Sequence, residues 1–98
     1  SGMAKFATVE VKVPVSFFRE ERNLIAYSPS LDISTSGKDM AQAKKRFSEA
    51  VQIFMEELFS KGTLEEVLHD LGWKKVKNSW SPPTPVAHEM EEIEVPLG

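Results

Sequence analysis

Apolar and polar residues alternate near the start of the chain: Ala7, Val9, Val11, Val13 and Val15 fall on one side of residues 5 to 15, with Thr8, Glu10 and Lys12 on the other. A period of two marks a strand buried on one face. Pro14 lacks an N–H, so the strand must end there, bulge there, or turn that position away from a neighbour. Phe17 and Phe18 follow, and the run Arg19-Glu20-Glu21-Arg22-Asn23 supplies a polar turn, so a hairpin is expected. The return strand covers Leu24 to Ser28, Pro29-Ser30 interrupts it, and Leu31 to Ser36 resumes in extended form.

The period then changes. Gly37 allows a sharp change of direction, and Asp39 followed by Gln42 is a capping-box pattern that opens a long helix from Met40 to about Ser60. On a helical wheel Met40, Ala43, Phe47, Ala50, Val51, Phe54, Met55 and Leu58 share one stripe, which is expected to face the sheet. Lys45, Glu49, Gln52 and Glu56 lie opposite, and Ile53 sits among them, off the stripe. Lys61 and Gly62 close the helix as a basic last turn and a left-handed residue.

Thr63 and Glu66 repeat the capping pattern and start a short second helix with Leu64, Val67, Leu68 and Leu71 on one face, ended by Gly72. Trp73 to Lys77 reads as a fourth strand, anchored by Trp73 and Val76 only. Ser79 to Pro85 contains Pro82, Pro83 and Pro85 and reads as a stiff polyproline-like connector. In the last segment Ile93, Val95 and Leu97 alternate with Glu92 and Glu94, which makes a strand if residues 91 to 97 find a sheet edge. The expected fold is therefore α+β: a three-stranded antiparallel sheet plus a fourth strand, one long helix on one face and a short second helix, in the order β-β-β-α-α-β.

Composition places this pattern in one domain, because 98 residues with 41% hydrophobic and 28% charged side chains support a single modest core. Ser1 and Gly2 precede Met3 and read as a scar of tag removal, so the domain is taken as residues 3 to 78 and the acidic tail as residues 79 to 98. No run approaches the roughly 20 apolar residues that span a bilayer, and no basic region with an apolar stretch opens the chain. With no cysteine, disulfides and thiolate metal sites are excluded. A cytoplasmic protein is expected. The tail holds Glu89, Glu91, Glu92 and Glu94 and no Lys or Arg, leaving 12 bases against 11 acids in residues 1 to 78. A nearly neutral body lacks the broad positive field that holds a phosphate backbone.

The stretch Ile25-Ala26-Tyr27-Ser28-Pro29-Ser30-Leu31, followed by Ile33, Gly37, Ala43 and Ala50, resembles the central motif of HicB-like antitoxin domains. Gly62-Thr63-Leu64-Glu65-Glu66-Val67-Leu68 and Leu71-Gly72-Trp73 resemble the continuation in single-domain members, so that the likeness covers most of residues 5 to 77. The resemblance implies a partial ribonuclease H-like fold with the fourth strand parallel to the first. It also implies a role in blocking a HicA-like toxin, a small ribonuclease of double-stranded-RNA-binding fold. Full-length relatives of this kind carry a ribbon-helix-helix or helix-turn-helix module after the domain. Here the Pro-rich acidic tail stands in that place, so direct DNA binding is not expected.

No catalytic constellation is expected. A two-metal nuclease needs carboxylates that converge on one site; Glu10 and Glu49 are the candidates, yet Glu49 falls on the solvated side of its helix. His69 and His88 have no metal-ligand spacing, and no Gly-x-Ser-x-Gly elbow or glycine-rich phosphate loop is present. No enzyme, metal or cofactor is expected. Lys44-Lys45-Arg46 and Lys74-Lys75-Lys77 lack the interleaved aromatics of an RNA surface, and Lys74, Lys75 or Lys77 are expected to oppose Glu92 and Glu94 if the tail strand docks beside the fourth strand. The remaining function is protein binding. Phe17, Phe18, Tyr27, Leu31, Ile53 and Trp80 are the large side chains offered to a partner, and a homodimer or higher homo-oligomer is expected through a sheet edge or the outer helix face. Two other readings stay open: an orphan self-associating module, and a nucleic-acid-binding or nuclease role inherited from the fold.

Overall fold

Ser16–Glu20 (β1) pairs antiparallel with Asn23–Ser28 (β2), and β2 with Ile33–Gly37 (β3), in a computed structural model that describes residues 11–98. The expected first strand, residues 5 to 15, is therefore displaced. Residues 5 to 10 lie outside the described residues, and 11–15 belong to no ladder, whereas Phe17 and Phe18 are strand and Arg19, Glu20 and Asn23 are strand rather than turn. The two residues Glu21 and Arg22 suffice for the loop, Glu21 taking a positive φ of 55°. Charged Arg19 and Glu20 are tolerated because β1 is an edge strand. The alternation itself persists: Val11, Val13, Val15 and Phe17 are half-buried, while Lys12, Pro14, Ser16 and Phe18 are exposed.

β3 starts at Ile33, two residues later than expected, because Asp32 adopts a left-handed conformation (φ 54°) and turns Leu31 inward. Gly37 has a different reason from the expected turn. A Cβ there would stand 2.5 Å from the Ala43 nitrogen, so the glycine lets the end of β3 touch the backbone of the helix that follows.

That helix, Met40–Ser60 (α1), has the expected bounds. The N-cap carboxylate Asp39 Oδ1 accepts from the Gln42 N–H at 2.8 Å, and Gln42 Oε1 accepts from the Lys38 N–H at 2.8 Å, one residue ahead of the standard capping-box partner. At the other end Thr63 N–H donates to Leu58 O at 2.9 Å and Gly62 N–H to Phe59 O at 3.0 Å, a Schellman closure with Gly62 at φ 70°. Leu64–Asp70 (α2) ends in the same way: Trp73 N–H donates to Leu68 O at 2.9 Å and Gly72 N–H to His69 O at 3.0 Å. The expected capping box at Thr63 and Glu66 does not form. The Thr63 hydroxyl is turned back towards Leu58 O, and no side chain caps α2.

Lys74–Val76 (β4) pairs with Ser79–Ser81 (β5) in a separate antiparallel hairpin, not beside β1 as the resemblance implies. The first residues of the expected connector are thus strand, and the hairpin carries regular structure past residue 78. Residues 82–98 contain no helix or strand. The core has two lobes. Leu24, Ala26, Ala43 and Phe47 fill the space between sheet and α1, while Leu31, Leu68 and Trp73 tie α2 to the β2–β3 turn. Val13, Ile33 and Val51 pack against both.

Candidate functional site

Trp73 is 1% exposed, and its Nε1–H donates to the Ser30 carbonyl at 2.8 Å. The neighbouring Ser28 and Ser30 hydroxyls hydrogen-bond each other in the interior at 2.7 Å. The Ser28-Pro29-Ser30-Leu31 part of the motif is thereby committed to structure, a turn latched by an indole 43 residues away. Leu31 belongs to this latch: at 3% exposure it is core and cannot serve a partner in this conformation.

The other residues expected to meet a partner are scattered. Phe18 and Tyr27 lie on the outer face of the sheet, because Phe18 pairs with Ile25 while Phe17 pairs with Ala26, and alternate positions point to opposite faces. Tyr27 Oη–H donates to Asp32 Oδ1 at 3.1 Å; this bond, then partial burial and the nearby charge, raise the phenol's pKa above 10.0. Ile53 is 64% exposed on the solvent side of α1. Only Phe17 and Trp80 share a concave surface.

That surface is an open groove of about 1010 Å³. Val11, Val13, Val15 and Phe17 form one wall; Val51, Met55 and Phe59 form the other, and Leu68 and Trp80 close one end. The geometry follows from the wheel. Residues 51, 55 and 59 are four apart and drift round the helix by about 40° per step, from the core stripe towards its flank. Phe59, the last of them, is 76% exposed. It was not among the expected partner residues, although its four-residue spacing from Met55 and Val51 is legible in the sequence. Lys44, Ser48, Gln52 and Glu56 are the polar members of the groove's described lining.

A smaller depression of about 470 Å³ lies between α2 and the second hairpin, lined by Glu65, Glu66, His69, Asp70, Lys75 and Trp80. Its charges are partly spent on each other. Lys75 Nζ reaches Glu65 Oε1 at 2.6 Å and stands 5.9 Å from the Trp80 ring centroid. Lys75, one of the three lysines expected to oppose Glu92 and Glu94, is thus held by Glu65, and the tail makes no strand beside β4. Glu49 is exposed on α1, His69 and His88 are exposed, and Glu10 lies outside the described residues. Among the described residues no cluster of His, Asp and Glu has a metal-binding arrangement, and no helix is long and apolar enough to cross a membrane.

Compared with protein families, curated proteins and solved structures, the chain matches none.

Proposed function

We propose that the chain is a non-enzymatic protein-binding module, a HicB-like antitoxin or a module derived from one, that holds a HicA-like ribonuclease toxin in the cytoplasm. The observation that carries the binding reading is the groove between residues 11–17 and α1, whose described lining is mainly apolar side chains, with Lys44, Ser48, Gln52 and Glu56 as its polar members. Such a surface gains free energy by covering apolar area and has no convergent polar groups to activate a substrate. The antitoxin part is supported by the motif running from Ile25 to Leu31 and its continuation through Trp73.

The test is growth of cells that express a HicA-like toxin together with this chain. The wild-type chain is expected to relieve the arrest, and Phe59→Glu to lose that protection while its melting temperature stays within experimental scatter, since the side chain is mostly in water. Failure of the wild type to protect overturns the antitoxin reading. Protection undiminished by Phe59→Glu and by Met55→Glu overturns the groove as the contact.

A self-associating module is the second reading, favoured by the apolar side chains that the tail leaves in water.

A further inference from the structure

Two unfinished surfaces of this chain complement each other. One is the free edge of β1 with the groove beneath it; the other is the tail. Among the described residues β1 lies at the end of its sheet, and residues 11–15, which lead into it with alternating half-buried and exposed side chains, have no ladder partner. The two-residue loop makes Glu20 and Asn23 a hydrogen-bonded pair, so Phe18 and Ser16 also spend their backbone groups on β2. By the same alternation Val15, Phe17 and Arg19 aim theirs at the open edge. Pro14 falls in the even set, so its missing N–H does not interrupt that edge.

The tail has the matching pattern. Val86, Met90 and Leu97 are 98–102% exposed and Ile93 and Val95 at least 70%, an arrangement that costs free energy unless something covers them. Ile93, Val95 and Leu97 alternate with Glu92, Glu94 and Pro96, as a half-buried edge strand requires. Charges agree as well. The tail has Glu89, Glu91, Glu92 and Glu94 with no base, whereas the solvent side of residues 11–19 begins with Lys12 and carries no acid, and the groove lining balances Lys44 with Glu56.

We infer that residues 91–97 of one copy add as a strand to the free edge of residues 11–19 in a second copy, laying Ile93, Val95 and Leu97 over the groove. A second copy is favoured over the chain's own tail by the connector. Pro83 lies 3.5 Å from where a Cβ on Gly72 would stand, Pro82, Pro83 and Pro85 stiffen the following chain, and the tail beyond is exposed rather than laid on the sheet. Reciprocal exchange of two tails satisfies both edges and closes the assembly as a two-fold dimer. Glu92 and Glu94 then share a face with Lys12, where opposite charges on neighbouring strands attract. This deepens the self-association reading and does not depend on a toxin.

The experiment compares the full-length chain with the full-length Ile93→Asp/Val95→Asp variant by sedimentation velocity, and by hydrogen exchange of residues 11–19. Both changes fall on exposed side chains, so circular dichroism should show the same fold. The wild type is expected to be a dimer whose amides at Val13, Val15 and Phe17 exchange slowly. The variant should dissociate with a dimer Kd raised about tenfold or more, and lose that protection. Raised salt should weaken the wild-type dimer, because the ion pairs are at the rim. A monomeric wild type overturns the inference, even if residues 11–19 are protected, since the tail would then be docking on its own chain. A dimer that persists in the variant with protection unchanged overturns it too. Toxin protection is scored separately on the wild-type chain: a wild type that dimerises without protecting overturns the antitoxin reading alone, and one that protects as a monomer overturns this inference alone.

Discussion

Tyr27 shows how a single residue of the motif can be read from its surroundings. Its hydroxyl donates to Asp32, whose left-handed backbone (φ 54°) swings the carboxylate back towards the strand just ended. The bond favours the neutral phenol, so the folded pKa stands above 10.0, the ordinary value. The resulting stability is fully present below the unfolded pKa and is lost as pH rises through the higher folded one. The chain has one tyrosine, so alkaline difference absorbance reads this group alone. The phenolate midpoint is expected above 10.0 in the wild type, and Asp32→Gly, which tolerates the backbone and removes the acceptor, should bring it back towards 10.0. An unmoved midpoint would rule out the Asp32 bond as the cause. At this scale the sequence shows the residue types of the motif but not their assignments. Leu31 resembled a surface anchor because its pairing with Trp73 spans a turn and two helices, a separation that no local pattern reports.

Elements were more legible than contacts, and the exceptions have physical reasons. α1 runs Met40–Ser60 as its periodicity and its Asp39 cap require, since a 21-residue amphipathic segment carries many repetitions of one signal. Short strands carry few. The first strand is expected over residues 5 to 15 with its turn at Arg19 to Asn23, whereas β1 runs to Glu20; its loop, Glu21-Arg22, contains none of the glycine or asparagine that announces a tight hairpin. β5 is hidden for another reason: Lys77-Asn78, with Lys77 at φ 57°, joins strands of only three residues, too short for a period of two to show. Gly37 serves a close approach rather than the expected turn, and the distinction can be measured. At Gly62 the backbone has positive φ but open space, so Gly62→Ala should cost only about 1 kcal/mol. Gly37→Ala drives a Cβ to within 2.5 Å of the α1 backbone, which cannot rotate away as a side chain can. The expected loss is about 3 kcal/mol, at the upper end for overpacking, read from the denaturant midpoint. Equal losses at both glycines would show that turn geometry, rather than the approach of β3 to α1, is what Gly37 serves.

Across the whole molecule, the question is whether two small core lobes behave as one. Neither is large: one rests on Leu24, Ala26, Ala43 and Phe47, the other on Leu31, Leu68 and Trp73. Val13, Ile33 and Val51 contact both, and the Trp73 indole bonds to the β2–β3 turn, so opening either lobe uncovers the residues that seal the other. A single cooperative transition is expected, with tryptophan fluorescence, which reads the second lobe, and far-ultraviolet circular dichroism, which is dominated by α1, giving the same denaturation midpoint. Val51→Ala should lower both midpoints together, by about 1–2 kcal/mol in stability for a half-buried valine. Separate midpoints would mean that α2 and the second hairpin detach while the sheet and α1 remain folded. The distinction bears on the groove, because Leu68 and Trp80 at its end belong with the second lobe and Val15 and Phe17 with the first. Only a fused core holds those walls at a fixed spacing, and a fixed spacing is what lets exposed apolar walls select one strand or partner instead of collapsing on each other.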